Sequence, residues 1–180
     1  MQRLLFTLIL LGTSYLSTAQ LPLNQGSTWS FGRSIIHENL PESYAYRPIS
    51  ILGYFPIEQF GKFRIYGEYQ FTQAVNLRNV YDYEFGMNMG IQFIQRINRY
   101  STFAAAIGSG PHFITVETDR QANGFIFSDN FEMSLKRFFP SFKASIQLAA
   151  RFRHISNAGL QSPNGGIDNL FFLFGIQRNL

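Results

Sequence analysis

The chain has no cysteine. That excludes a disulfide framework and a thiolate metal site, so an exported form must draw its stability from the fold itself. Charge is sparse as well: Asp, Glu, Lys and Arg make up 14% of the 180 residues, with a formal net charge of +4. So mild a balance, with no basic run, argues against nucleic acid as a partner and fits either a polar interior with charged loops or attraction to an anionic membrane surface. The three histidines are scattered, with no acidic cluster beside them, which argues against a bound metal. Long apolar runs are missing too. After residue 20 no stretch approaches the roughly 18 uninterrupted apolar residues that a spanning helix requires. A mature chain that crosses a membrane must therefore do so as strands.

What the sequence does contain is apolar and aromatic. Hydrophobic residues reach 46% and aromatics 17%, with 20 Phe, a composition too greasy for disorder and low in charge for a soluble domain. The length suits one domain. Residues 1–19 read as an export signal: Arg3 supplies the positive start, residues 4–11 the apolar core, and Ser17-Thr18-Ala19 a small-residue cleavage site. The mature domain is then expected over 20–180, exported from a bacterial cell.

Eight segments alternate with period two, at 28–37, 48–57, 62–71, 81–94, 100–108, 125–137, 143–155 and 167–177. In the fourth, Tyr81, Tyr83, Phe85, Met87, Met89, Ile91 and Phe93 share one face, and Asp82, Glu84, Asn88 and Gln92 lie on the other. The third and sixth also have one apolar and one charged face. Connections alternate between long and brief, and aromatics gather at segment ends, as in the interfacial girdles of outer-membrane barrels. These features predict an all-β fold: an eight-stranded antiparallel transmembrane β-barrel of the outer membrane. Closure follows from hydrogen bonding, because an open sheet edge in hydrocarbon leaves donors and acceptors unpaired at several kcal/mol each. Eight strands leave an interior filled by side chains, and Arg64, Glu68, Asp82, Glu84, Glu132, Arg151 and Arg153 are expected to form a charge network there. The alternative architecture is a soluble periplasmic barrel that binds a small lipid, with the two faces exchanged.

Chemistry concentrates in the last hairpin. His154 and Ser156 are two apart, so on a strand they project from one face with Cα atoms about 6.5–7 Å apart. Asp168 opens the next strand, where cross-strand neighbours lie about 4.5–5.5 Å away. The three can serve as base, nucleophile and orienter. His154 shares the parity of Ala144, Ile146, Leu148, Ala150 and Phe152, and Asp168 that of Leu170, Phe172, Phe174 and Ile176, so both are expected on the lipid-facing wall. Polar groups there are costly unless they serve a function. With both termini periplasmic, the trio would sit at the outer leaflet. His37 and His112 lack comparable partners and read as loop or girdle residues. Gly108-Ser109-Gly110 lacks the spacing and strand-to-helix setting of a nucleophile elbow.

The stretch His154-Ile155-Ser156-Asn157-Ala158, followed by a loop Asn and an acidic residue at the start of the last strand, resembles the PagL lipid A deacylases, or acyloxyacyl hydrolase-like proteins. The resemblance implies hydrolysis of the ester-linked 3-O-acyl chain of lipid A, the membrane anchor of lipopolysaccharide, with no metal or cofactor. It makes Ser156 the nucleophile, His154 the base and Asp168 the acidic member. Asn164 and the Gly159 amide become oxyanion donors and Asn157 a supporting residue. Founding members of the family carry Glu where this chain has Asp168, one methylene shorter. The competing function is a non-enzymatic barrel that binds or anchors through its loops, and homo-oligomerisation is left open.

Overall fold

A computed structural model describes residues 28–38, 48–75, 81–118 and 120–178. The expected export segment 1–19, the loop at 39–47 and part of the loop at 72–80 lie outside them, as does the side chain of His37. Eight strands pair in chain order and close into a barrel: β1 (Thr28–Glu38), β2 (Ile49–Phe60), β3 (Phe63–Val75), β4 (Tyr81–Arg96), β5 (Ser101–Ile114), β6 (Gly124–Phe139), β7 (Ala144–Ser156) and β8 (Ile167–Arg178). All pairs are antiparallel, and β1 closes on β8. The expected segments match these strands to within a few residues, except the fifth, which runs six residues past its expected end at 108.

That difference has a local cause. Gly108-Ser109-Gly110-Pro111 reads as a turn, yet it lies in the sheet because its glycines admit neighbours that a side chain would exclude. A Cβ at Gly110 would fall 1.9 Å from the Met87 carbonyl oxygen, and one at Gly108 would fall 2.6 Å from the Tyr66 hydroxyl. The β4 register passes directly from Gly86↔His112 to Met89↔Ser109, so Pro111, with no N–H to give, falls in a gap of that ladder.

The register also sets the tilt. From Ile114 on β5 it runs through Glu84, Thr72, Ser50, Gly32, Leu173, Ala149 and Ser134 and returns to β5 at Ala104, ten residues lower. A stagger of that size in eight strands means strongly inclined strands and a narrow, side-chain-filled lumen.

The two faces sort as a membrane barrel requires. Trp29, Phe85, Met89, Ile107, Leu148 and Phe172 are exposed on the outer wall, whereas Glu68, Glu84, Asn88, Arg151 and Arg153 are buried inside. The soluble alternative needs the reverse. In β8, Phe171 and Leu173 point inward while Phe172 and Phe174 point out, which resolves the parity of that Phe-rich run.

Inside, Arg151 donates to Glu68 Oε1 and Glu132 Oε2, both at 2.7 Å, and Arg153 donates to Glu84 Oε2 at 2.7 Å and to the Asn169 side-chain oxygen at 2.8 Å. Two expectations change here. Arg64 bonds Gln59 at 2.8 Å rather than a carboxylate. His112 is neither a loop nor a girdle residue: it is buried in the lumen, with Nδ1 2.7 Å from Glu84 and Nε2 3.1 Å from the Asn88 side-chain oxygen. The longer β5 carries it there, since 112 has inward parity once the strand continues past 108. Above this network Ile114, Val116, Ile126, Ile155 and Ile167 form a buried apolar cluster at the long-loop end. It stands directly behind the outer-wall residues described next.

Candidate active site

Strands β7 and β8 bring His154 and Asp168 opposite each other in register. Nδ1 of His154 lies 2.7 Å from Oδ1 of Asp168, with the two side chains 38% and 22% exposed on the outer wall. A carboxylate only accepts, so Nδ1 carries the proton and Nε2 is left as the basic nitrogen. The shorter Asp thus reaches the ring, because the partner residues face each other directly across one strand spacing.

Ser156 lies two residues on, partly exposed on the same face. Among the described residues no hydrogen bond ties its hydroxyl to His154. The imidazole has a defined seat beneath it: a Cβ at Gly166 would meet Cε1 at 2.5 Å and Nε2 at 3.2 Å. Gly166 also has φ +69°, a left-handed conformation that glycine adopts without strain. The ring therefore lies against bare backbone at the start of β8.

The loop 157–166 is organised by Asn157, which is fully buried. Its backbone N–H donates to the Asn164 side-chain oxygen at 2.8 Å, its side-chain amide donates to the Gln161 carbonyl at 2.9 Å, and its side-chain oxygen accepts from the Gly159 N–H at 3.0 Å. The loop also docks on its neighbour: Ala122 N–H donates to the Pro163 carbonyl at 2.9 Å, and Asn164 pairs with Gln121 in an isolated bridge. Asn164 and Gly159 are thus both held by Asn157. The Gly159 amide is engaged within the loop, whereas the Asn164 side-chain oxygen accepts from Asn157 and its NH2 makes no hydrogen bond among the described residues.

Two further polar residues of the outer wall stand beside His154, and neither belongs to the motif of the last hairpin. In register, Asp129 on β6 stands opposite His154, and Ser109 on β5 stands opposite Asp129. The Ser109 hydroxyl donates to Asp129 Oδ1 at 2.6 Å, and both side chains are exposed on the outer wall. Asp129 was legible: it shares parity with Phe131, Met133 and Leu135, so it is a charge on an apolar face. Ser109 is hidden in the sequence because Gly108-Ser109-Gly110-Pro111 has the composition of a turn. From this polar row a groove of about 680 Å³ runs along the wall, lined by Met89, Ile107, Phe131 and Phe152 with Asp129 and His154 at one end.

The family model described as lipid A 3-O-deacylase (PagL) matches residues 51–177. Among solved structures, the chain is similar to the crystal structure of the outer membrane enzyme PagL. The identity is 14% and the TM-score 0.60, with 83% of this chain and 97% of that chain covered. It is also similar to the Yersinia pestis outer membrane protein Ail in a phospholipid bilayer nanodisc, at 15% identity and TM-score 0.39, covering 84% and 99%. At 14% identity the likeness to the crystal structure is one of fold. No curated protein matches the chain.

Proposed function

The chain belongs to the lipid A 3-O-deacylase (PagL) family, and from that premise we propose that it hydrolyses the 3-O-linked acyl ester of lipid A in the outer leaflet as a serine esterase. The observation that carries this reading is the His154–Asp168 pair, bonded at 2.7 Å on the outer wall with Ser156 two residues away.

Ser156 attacks the ester carbonyl, and its proton passes to Nε2 of His154. Asp168 holds the ring by Nδ1 and stabilises the imidazolium that forms, an interaction strengthened where lipid excludes water. The tetrahedral oxyanion needs a donor, and the Asn164 NH2, which makes no hydrogen bond among the described residues, supplies it in this reading. The Gly159 amide must leave the Asn157 side-chain oxygen before it can serve. One oxyanion donor contributes about 2.7–4 kcal/mol to transition-state stabilisation. Collapse of the intermediate expels the sugar 3-oxygen, which takes the proton from His154. Water, activated by the same nitrogen, then releases the fatty acid and regenerates Ser156. The groove beside His154 offers the acyl chain an apolar bed continuous with the bilayer, so the substrate need not leave the membrane to react. The Ser156–His154 contact closes when substrate fills the site, as catalytic hydrogen bonds often tighten only in the complex.

Purified lipid A incubated with the barrel in detergent is expected to lose one acyl chain by mass spectrometry. The same mass loss with Ser156→Ala would overturn the serine mechanism.

A further inference from the structure

Among the described side chains, the outer wall carries four polar ones in a single register row: Ser109, Asp129, His154 and Asp168 on β5, β6, β7 and β8. Their hydrogen bonds follow a pattern. Ser109 is bonded to Asp129 at 2.6 Å and His154 to Asp168 at 2.7 Å. Between the two pairs, Asp129 and His154 face each other across one strand spacing, and no hydrogen bond joins them among the described residues. His154 thus stands between two carboxylates and uses one.

Two carboxylates flanking one imidazole create a conflict on a lipid-facing surface. A carboxylate short of donors there is poorly solvated and seeks the nearest one, and the imidazolium formed during catalysis offers an N–H at Nε2. That is the nitrogen which must exchange a proton with Ser156. If Asp129 captured it, the base would be withdrawn from the nucleophile although every catalytic residue remained in place.

We propose that Ser109 and Asp129 are positioning residues, the Ser109 hydroxyl holding the Asp129 carboxylate toward β5 so that Nε2 of His154 stays directed to Ser156. Asp129 then adds negative charge beside the imidazolium without occupying its reactive nitrogen. The arrangement explains why an exposed serine and an exposed aspartate stand together on a largely apolar and aromatic wall, where each polar group is costly. It also gives Gly108-Ser109-Gly110 a reason to lie within β5: only inside the sheet does Ser109 fall in register with Asp129.

The proposal rests on the Ser156, His154 and Asp168 reading above, and the experiment separates the two. The full barrel, folded in detergent and checked by heat-modifiable gel mobility, is treated with a fluorophosphonate. This probe phosphonylates an activated serine with loss of fluoride and carries no sugar, so its rate reports the Ser156–His154 couple rather than lipid A recognition. Ser156→Ala tests the underlying reading: labelling equal to the parent sinks the triad and this inference with it. With Ser156 labelling established, Ser109→Ala is expected to slow it about tenfold, a part of the 10²- to 10⁴-fold that a positioned base contributes. Ser109→Thr, which keeps the hydroxyl, recovers most of the rate. Ser109→Ala combined with Asp129→Asn also recovers it, because a neutral amide does not capture the imidazolium. Labelling of Ser109→Ala at the parent rate, or a double variant as slow as the single one, overturns the proposal and leaves the triad standing.

Discussion

Two histidines of this barrel each meet a carboxylate at 2.7 Å, His112 in the lumen and His154 on the outer wall. His112 uses both ring nitrogens, on Glu84 and on Asn88, and is fully buried. Among the described residues His154 uses Nδ1 alone, and its side chain is 38% exposed. The same contrast holds for their surroundings. In the lumen Arg151 is shared by two carboxylates, while in the outer row Ser109 is bonded to Asp129 and His154 to Asp168. A polar cluster whose groups are all engaged contributes to structure. One that leaves a basic nitrogen without a hydrogen bond among the described residues, beside a hydroxyl and at the edge of an apolar groove, is what the proposed esterase chemistry requires.

The widest split between the two regions is expected from matched substitutions of the histidines. His154→Gln should lower lipid A deacylation by about 10⁴- to 10⁶-fold, in the range seen when one member of a catalytic triad is removed, while His112→Gln leaves the rate per folded barrel unchanged. Equal losses in the mass-spectrometric assay would erase the distinction. Next in size, Arg151→Met strands Glu68 and Glu132 without their shared cation and should cost about 3–5 kcal/mol of stability. A urea titration of the folded and unfolded gel bands reads this directly, and an unchanged midpoint would mean that the lumen network contributes nothing to folding. The smallest effect belongs to the seat of the imidazole. Gly166→Ala places a Cβ 2.5 Å from Cε1 of His154, and the displaced ring should slow deacylation by about ten- to a hundredfold. Stability should change less, so a variant that unfolds at low urea but turns over normally would relocate the role of Gly166 from site to scaffold.

Much of this was legible because a strand in a barrel has only two faces. Period-two alternation in β4 and β6 sorts apolar from charged residues without any knowledge of the partner strands, and it placed Arg151 and Arg153 inside. The same parity puts His154 and Asp168 on the outer wall. The misplacing of His112 and the omission of Ser109 share one origin. Ending strand five at residue 108 removed both Ser109 and His112 from the sheet, because glycine and proline are normally signs of a turn. Nothing local in Gly108-Ser109-Gly110-Pro111 tells that Met87 and Tyr66 approach closely enough to require those glycines.

The alternation of residue types by itself determined the fold class, the number of strands and the face on which each side chain lies, since inside and outside are decided one strand at a time by the pleat. Which residues on a common face become neighbours was decided only in the closed barrel. The registers of three consecutive hairpins set the row in which Ser109, Asp129, His154 and Asp168 meet, and a register is a property of paired strands rather than of any one of them.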